Sequence, residues 1–427
     1  MRLRARWLFW LNLLLPGTAQ LVAGRRVLAR LAISANLLLW VMLVAAVVVG
    51  VLDINLLLVF ATSPVAVNIF SWLLLGYAVL YAVLGLNTLA LMKLGRLPTK
   101  SRLFTVLSGV VVAALLTTGF ASASTLAREQ ASLVSAIFTR TGLVGAVDGR
   151  FNIMLVGSDS GSDRLGMRTD SVSVLSLDAV TGEALNIGIP RNLQRAPFSE
   201  GSPMKALWPK GYNCGSTCLL NAINTDVMNN HQALYPNALA QGITPGIQAL
   251  REAVQGITGL AISNYVLIDM SGFKGLINAL GGVTIDVKSR LPIGGKLDDG
   301  SDARGYIEPG LQHMSGTTAL WYARSRHGLD GNSDYSRMSR QREVENALIK
   351  QVSPAKLLMN FQAIAAVGKK MIKTDISSDM LAAYVNLALK NRGNGMRTLE
   401  LVPNNGFDMI NPNFSAIQAK IKEQLHG

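Results

Sequence analysis

The sequence has few acidic residues, and those few are unevenly placed. Asp and Glu number 26 against 40 Lys and Arg, but residues 1–130 hold eleven of the basic residues and two of the acidic ones. The basic excess is therefore mainly a feature of the flanks of apolar segments, as in membrane proteins. No recognition-helix, zinc-finger or RNP pattern is present, so the charge gives little support to nucleic-acid binding.

Cysteine and histidine are also scarce. The two cysteines, Cys214 and Cys218, lie in CGSTC, a spacing unusual for a zinc knuckle, and no second Cys/His pair follows. A small disulfide loop in an oxidising compartment is favoured over a pair of free thiols, which is the alternative. The four histidines show no metal-binding spacing. Among them His327 lies in an arginine-rich stretch, where we take it as a rim residue, with a proton carrier as the alternative.

Polar residues are rare in the first 121 positions. Half of the whole sequence is hydrophobic, which is unusual for a soluble enzyme. Three apolar stretches, near 31–52, 65–92 and 103–121, each reach the ~20 residues needed to cross hydrocarbon. A shorter segment before them, WLFWLNLLLPGTAQLVAG, contains Pro-Gly. This interruption favours an interfacial or re-entrant segment over a signal peptide.

The basic residues predict the orientation of these segments. One group flanks the first apolar segment and a second separates the last two long stretches, and cytoplasmic loops collect such charges. Three crossings then leave the chain outside the cytoplasm after about residue 122. We expect a membrane region at 1–121, a helical or flexible stalk at 122–148 and an extracytoplasmic domain at 149–427 of a multi-pass protein of the cell (cytoplasmic) membrane. The two basic groups are Arg2, Arg4, Arg6, Arg25, Arg26 and Arg30, then Lys93, Arg96, Lys100 and Arg102.

The outer region predicts an α/β fold. Short β-branched or apolar runs ended by Gly, Pro or Asp indicate strands, namely FNIMLVG, SVSVLSL, ALNIGIP, NYVLID, VTIDV and TLELVP. Helical patterns alternate with them at TPGIQALREAVQGITG, at SGFKGLINALGG and over about 336–352. Such alternation predicts helices layered on a largely buried sheet.

The loop between the first two predicted strands, GSDSGSDRLGMRTDS, carries Asp159, Asp163, Arg164, Arg168 and Asp170. Two carboxylates near one another can hold a hard divalent ion, with phosphate oxygens completing its shell. Arginines beside them can bind the other phosphate oxygens. The loop is not a nucleophile elbow, because an aspartate stands where that turn needs serine. No Walker A loop is present, so a nucleotide is not implied.

More arginines follow at the ends of other predicted elements. Each has an ordinary interpretation, since Arg340 could pair with Glu343 and Arg337 with Asp334. Taken together, however, arginines from three separate loops favour one target that carries more than one phosphate, a task that suits the planar guanidinium better than lysine. The set consists of Arg191 in IPRN, Arg324 and Arg326 in WYARSR, and Arg337, Arg340 and Gln341 in YSRMSRQ.

The order of these motifs resembles the LytR-CpsA-Psr (LCP) family of cell-wall ligases. The matching segments are GSD…R…RTDSV, IPRN, NAIN, YVLIDMSGFKGLINALGGVTIDV, G-x-x-AL-x-YAR-x-R and D-Y-x-R-x-x-RQ, over about residues 150–352. The resemblance implies a layered α-β-α domain with a mixed central sheet. It also implies a phosphotransferase that moves a glycan-1-phosphate from a polyprenyl-pyrophosphate carrier onto peptidoglycan, and an apolar tunnel for the isoprenoid.

The resemblance also implies roles for the site residues. Asp159 and Asp170 would hold Mg²⁺, with Mn²⁺ as an alternative, and Asp334 would either orient the arginines or accept the proton of the attacking hydroxyl. One departure is Asn192, where the family often has aspartate; a neutral side chain there would order Arg191 or the metal more weakly. The residues expected around the pyrophosphate are Arg168, Arg191, Arg324, Arg326 and Arg340, with Arg164, Arg337 and Gln341 as further candidates.

Two other functions use the same residues. With water in place of the sugar hydroxyl, the protein would be an extracytoplasmic polyprenyl-pyrophosphate pyrophosphatase. Without turnover, it would be a lipid-binding envelope regulator, although a pure binder has little reason for two carboxylates beside the arginines. The expected partners are the lipid-linked glycan, peptidoglycan and membrane lipid. The polymer could be wall teichoic acid, arabinogalactan or similar; the multi-span anchor, the cysteine pair and PRN favour arabinogalactan.

Overall fold

The computed structural model describes most of the chain in two units. The described residues are 15–52, 63–91, 98–137, 145–159, 168–294, 303–325, 334–351, 372–391 and 395–426, with a few isolated positions. The units are Met1–Ser132 and Leu133–Gly427, and each is described by itself.

The first unit is helical. Three of its helices are long and apolar enough to cross a membrane, with mean hydropathies of 2.6, 2.1 and 2.1 over Arg26–Leu52, Val65–Leu91 and Arg102–Glu129. These coincide with the three stretches predicted from the sequence. The helices are α1 (Thr18–Val22), α2 (Arg26–Leu52), α3 (Pro64–Leu91) and α4 (Thr99–Ile137).

Polar side chains join these apolar helices. On α1 the buried Gln20 donates from Nε2 to Thr88 Oγ1 on α3 at 2.9 Å. Ser124 on α4 donates to the carbonyl of Ser71 on α3 at 2.8 Å. A buried polar group costs free energy unless it is paired, so these contacts fix which helix faces meet. Residues 8–14 of the segment predicted to be interfacial or re-entrant lie outside the described residues, and its described part, 15–24, contains α1.

The second unit is built on a mixed six-stranded sheet, which confirms the predicted α/β class. The strand order is β10-β3-β2-β1-β4-β9. β1 runs parallel to β4 and β3 parallel to β10, and the other neighbours are antiparallel. The strands are β1 (Arg150–Asp159), β2 (Arg168–Asp178), β3 (Ala184–Ile189), β4 (Asn264–Asp269), β9 (Ile372–Thr374) and β10 (Met396–Glu400).

Helices cover both faces of this sheet, as a buried α/β sheet requires. One face presents side chains such as Met154, Val174 and Ile187 to α7 and α12. The opposite face presents Ile153 and Leu177 to α11. The covering helices are α5 (Pro203–Leu207), α6 (Ile223–Asp226), α7 (Pro245–Thr258), α11 (Ser378–Asn391) and α12 (Phe414–His426).

The bounds of α7 follow from its sequence. Thr244 is the N-cap with extended backbone angles, and Pro245 occupies the first turn, where its missing N–H is not needed. Gly259 ends the helix in the left-handed region at φ 71°, which glycine adopts without strain. Buried Leu250 and Val254 on one stripe lie in the sheet core, so the helical period predicted from the sequence selects the buried face.

A smaller cluster forms a second core beside the sheet. It contains buried Ile285, Met314, Tyr322 and Val344. VTIDV, predicted as a strand, pairs here with β8 rather than in the main sheet. The elements of this part are α8 (Met270–Ala279), β5 (Val283–Val287), β6 (Leu291–Ile293), β7 (Gly305–Ile307), β8 (Gly310–Met314), α9 (Gly316–Arg324) and α10 (Asp334–Gln351).

Asp375 joins the chain after β9 to the sheet and to α7. Its carboxylate accepts from Arg251 Nη2, from Asn264 Nδ2 at 3.2 Å and from the backbone N–H of Tyr265 at 2.8 Å. The Arg251 and Asp375 side chains are 15% and 12% exposed, so solvent replaces these contacts poorly. Residues 372–391 are therefore part of the same fold.

We expect Asp375→Ala to lower the free energy of unfolding by about 3 kcal/mol, because it leaves a largely buried arginine without this carboxylate. The measurement is urea unfolding of the purified chain in detergent, followed by near-UV circular dichroism. The matched control is Glu423→Ala, which removes an ion pair between exposed side chains and leaves the midpoint near wild type. Equal midpoints for the two variants would contradict the prediction.

Candidate active site

Two of the sequence-predicted clusters lie at one edge of the main sheet. Asp159 ends β1 and lies opposite Arg168, the first residue of β2. β3 ends at Ile189, which pairs with Val172 of β2 near the same edge, and Pro190-Arg191 follow directly. Antiparallel pairing of β2 with both neighbours thus places the end of β1, the start of β2 and the end of β3 side by side.

A β-bulge at this edge sets the position of Asp170. Gly157 pairs with Ser171, but the next residue, Ser158, pairs with Thr169. Asp170 is therefore an extra residue without a partner across the strand pair. A bulge bends its strand and redirects a side chain, and bulges are common beside functional sites.

Asp170 holds the arginine that follows β3. Arg191 Nη1 donates to Asp170 Oδ1 at 2.7 Å, and the two side chains are 22% and 24% exposed. The pair is thus ordered by a charge-assisted hydrogen bond and still reachable by a ligand.

A disulfide-closed loop supports the backbone around Arg191. The N–H of Asn221 donates to the Arg191 carbonyl and that of Leu220 to the Leu193 carbonyl, each at 3.0 Å. The structure joins Cys214 to Cys218, as the sequence predicts, and this bond closes the turn that precedes Leu220. The main chain of Arg191, a residue predicted to bind phosphate, is therefore held in place by hydrogen bonds.

Helix α10 brings two more predicted arginines to this region. Arg337 Nη2 donates to the main-chain carbonyl of Asp170 at 3.3 Å. Arg340, one turn later, donates from Nε to the carbonyl of Ser325 at 3.1 Å and from Nη2 to the same oxygen. Both arginines are buried, at 6% and 7% exposure. Burial lowers the pKa of Arg340, but the guanidinium stays charged at any physiological pH.

Ser325 links α10 to the next arginine of the set. It follows α9, whose last residue is Arg324, so the Arg340–Ser325 contact also ties down the end of α9. The guanidinium carbon of Arg324 lies 5.8 Å from the centre of the Trp321 ring, within the range of a cation–π contact. Glu343, considered above as a partner of Arg340, accepts from the hydroxyl of Tyr322.

Two amide side chains near the arginines have buried oxygens. Gln341 Oε1 and Asn192 Oδ1 accept no hydrogen bond from the described part of the chain. A buried acceptor without a donor is costly. Gln341 belongs to the predicted set, and Asn192 is the residue at which the family often has aspartate.

The remaining predicted residues are described in part or not at all. The structure describes the backbone of Asp159, Arg168 and Asp334, with the first two at the sheet edge and the third at the first position of α10. Arg164 and Arg326 lie outside the described residues, as do Asp163 and His327. Their predicted roles stay predictions.

One group of charged residues near the site was not predicted. Arg342, 4% exposed, donates to Glu345 on its own helix and to Glu400 at the end of β10. Burial lowers the pKa of Arg342 and the two carboxylates raise it, with a net rise. Burial raises the pKa of Glu400, against the effect of Arg342. Glu400 is 58 positions from Arg342 along the chain, and no local sequence motif predicts this contact.

The donor set suits the magnesium ion expected from the sequence. Asp170 has its carboxylate at this sheet edge, where the backbone of Asp159 also lies, and Mg²⁺ typically takes one or two carboxylates plus phosphate oxygens and water. No group of three or more His, Cys, Asp or Glu side chains suited to a metal occurs among the described residues. A site completed by ligand phosphates does not need a third.

These features define an α/β domain with an arginine-rich site suited to a ligand that carries phosphates. Among the charged residues of the set whose side chains are described, four are arginines and one is Asp170, so this described part has an excess of positive charge. The sequence matches the LytR_cpsA_psr family over residues 110–425, which is most of the chain. The chain belongs to this family.

Curated relatives include cell-wall transferases. The chain is 28% identical over 227 residues to the polyisoprenyl-teichoic acid–peptidoglycan teichoic acid transferase TagV of Bacillus subtilis, covering 53% of this chain and 50% of the relative. It is 34% identical over 134 residues to TagU of Enterococcus faecalis, covering 31% of this chain and 41% of that protein. The chain thus spans about half the length of the curated relatives it matches.

Solved structures of similar proteins include Bacillus subtilis TagV, with 23% identity, a TM-score of 0.45, and coverage of 65% of this chain and 97% of that one. A second is protein gbs0355 from Streptococcus agalactiae, with 22% identity, a TM-score of 0.48, and coverage of 65% and 89%.

We expect Arg191→Lys to weaken binding of inorganic pyrophosphate about tenfold, because lysine keeps the charge but loses the planar fork. Isothermal titration calorimetry on the detergent-solubilised chain measures the affinity. The matched control is Arg195→Lys, an exposed arginine in the same loop, which should bind as wild type does. Equal affinity of the Arg191 variant and wild type would show that Arg191 does not bind the diphosphate.

Proposed function

We propose that this protein transfers a glycan-1-phosphate from a polyprenyl-pyrophosphate carrier onto peptidoglycan. The observation that carries the proposal is the contact set around Asp170, which joins Arg191 and the helix of Arg337 at one sheet edge. The names of TagV and TagU, with a polyisoprenyl-linked polymer as donor and peptidoglycan as acceptor, support this choice of substrate class. The polymer would be wall teichoic acid, arabinogalactan or a similar chain.

The reaction needs alignment and charge neutralisation more than covalent participation by the protein. The acceptor hydroxyl oxygen attacks the phosphorus on the sugar side of the diphosphate. The bond from this phosphorus to the bridging oxygen breaks, the hydroxyl loses its proton, and polyprenyl phosphate leaves. Arg191, Arg324 and Arg337 would bind the phosphate oxygens and stabilise the charge that develops on the leaving group.

Asp159 and Asp170 would hold Mg²⁺, or Mn²⁺ as the alternative, and a bound ion would neutralise diphosphate charge. Asp170 also orients Arg191, so it would serve the metal and the arginine together. Asp334, at the start of α10 and three residues before Arg337, would orient these arginines or accept the hydroxyl proton.

The helical unit suits a substrate whose isoprenoid stays in a bilayer. We propose a multi-pass protein of the cytoplasmic membrane with its α/β domain on the outside. Three candidate spans, basic residues on the predicted inner flanks and the Cys214–Cys218 disulfide support this orientation.

A donor labelled at the sugar-side phosphate tests the proposed transfer. Purified chain, Mg²⁺, a polyprenyl-pyrophosphate sugar and a peptidoglycan acceptor should give labelled acceptor. Asp170→Ala and Arg324→Ala should each lower the rate about 100-fold or more, by loss of transition-state stabilisation. The matched control is Arg290→Ala, an exposed arginine 3.7 Å over the Tyr306 ring, which should leave the rate unchanged.

The position of the label separates the alternatives. Label found as free sugar phosphate, even with acceptor present, would favour a pyrophosphatase. Donor binding without release of either product, in a chain whose Asp170 and Arg324 variants behave as wild type, would favour a lipid-binding regulator.

Protease treatment of intact spheroplasts tests the orientation. Three crossings place the N-terminus inside and the α/β domain outside, so a C-terminal epitope should be degraded and an N-terminal epitope protected until the membrane is permeabilised. A protected C-terminal epitope would contradict the extracytoplasmic placement.

A further inference from the structure

A buried ionic cluster fastens the arginine-bearing helix α10 to three strands of the sheet. Arg342 Nη1 donates to Glu345 Oε1 at 2.7 Å and to Ser173 Oγ on β2 at 3.1 Å, and its Nε donates to Glu400 Oε1 on β10 at 3.1 Å. Asn186 on β3 donates to Glu345 Oε2 at 2.6 Å. The guanidinium therefore binds acceptors on β2, on β10 and on its own helix.

A glycine makes room for this cluster. Gly188 of β3 pairs with Ser173 on one side and with Glu400 on the other, so the three residues form a row across the sheet. A Cβ added at Gly188 would lie 2.1 Å from Glu400 Oε2 and 2.6 Å from its Cδ. Glu400 thus occupies the space above Gly188, and any larger residue there displaces its carboxylate.

The cluster lies directly beside the candidate phosphate ligands along α10. Arg342 follows Gln341, comes two residues after Arg340 and five after Arg337. Apolar packing alone is weakly directional. Hydrogen bonds to fixed strand atoms, by contrast, define both the rotation and the axial position of a helix.

The cluster is better explained by the placement of α10 than by a contribution to the free energy of folding. Buried ion pairs often contribute little beyond what an apolar replacement would, because both charges must leave water. What they add here is geometry, and a displacement of about 1 Å at a catalytic group can cost about 100-fold in rate.

We propose that Arg342 is a positioning residue, and that the Arg342–Glu345–Glu400 cluster seated over Gly188 places Arg337, Arg340 and Gln341 for the diphosphate. This inference extends the proposed function and rests on it for the activity measurement. Arg342 acts through the helix and binds no substrate itself.

The test is Gly188→Ala, which moves Glu400 without changing any charge. The matched control is Gly305→Ala, also in a strand, where an added Cβ meets nothing within 4 Å. We expect Gly188→Ala to lower kcat for transfer about tenfold or more and to speed hydrogen exchange of the α10 amides 337–341. The α7 amides should exchange as in wild type, and Gly305→Ala should match wild type in both measurements.

A second change should reverse the first. Glu400→Asp shortens the acid by one carbon–carbon bond, about 1.5 Å, and leaves space for the new Cβ. In Gly188→Ala/Glu400→Asp, we expect kcat to recover to within about threefold of Glu400→Asp alone. If the cluster contributed only to stability, the reductions in kcat caused by the two substitutions would add. Arg342→Lys keeps the charge but loses the fork, and should lower kcat about tenfold even if Gly188→Ala fails to fold.

The two measurements separate the inference from the proposed function. Faster exchange in α10 of Gly188→Ala, in a chain whose wild type transfers no phosphate, would overturn the function and support the placement of α10. Transfer by wild type, with Gly188→Ala and Arg342→Lys equal to Gly305→Ala in rate and exchange, would overturn the positioning role.

Discussion

Arginine side chains that lie close together repel one another, and the candidate site of the α/β domain depends on holding them in place. Arg191, Arg337 and Arg340 are each held by an acceptor from another part of the chain, and Arg324 lies over a ring of its own helix. Asp170 holds Arg191 through its carboxylate and Arg337 through its carbonyl, Ser325 holds Arg340, and Trp321 lies beneath Arg324. Preformed placement of this kind avoids the cost of ordering long side chains when the ligand binds.

The sheet places Asp170 beside the end of β3, which Arg191 follows. Because β2 runs antiparallel to both neighbours, its start lies beside the ends of β1 and β3, and the bulge turns out Asp170 at that edge. The small second core then supplies α9 and α10, whose arginines approach from the side. Arg337 of α10 contacts Asp170 of the main sheet, so the predicted site residues come from elements of both cores.

Much of the fold could be predicted from the sequence because local signals and tertiary structure agree. The helix at 245–258 has its N-terminal proline and C-terminal glycine, and the buried strands are continuous apolar runs. Other elements escaped prediction: β9 and β6 have three residues each, too few for a period. VTIDV reads as a strand of the main sheet, yet it pairs with β8, because an alternating pattern does not specify its partner.

Some residues of the candidate site could likewise be predicted from the sequence, and others could not. Arg324, Arg337 and Gln341 could be selected by spacing and residue type, since one helix turn or strand step brings such residues to one face. Arg342 stands in the same run and was not selected, because nothing local distinguishes an arginine that binds a buried glutamate from one that binds a ligand. Its partner Glu400 and the space above Gly188 are set by strand pairing, which no local pattern contains.

The kind of partner is what distinguishes the two roles. Arg342 is held by two carboxylates, which fix its direction and also cancel its charge. Arg340 is held by a main-chain carbonyl, which fixes the direction of the guanidinium but carries no net charge to oppose it. An arginine held only by a carbonyl keeps its attraction for an anion, whereas the two carboxylates beside the buried Arg342 outweigh its charge. Arg191, which faces the single carboxylate of Asp170 and is 22% exposed, lies between these two cases. By this criterion Arg340 is the better candidate for a ligand of the proposed diphosphate, and Arg342 would act by holding the helix that carries Arg340.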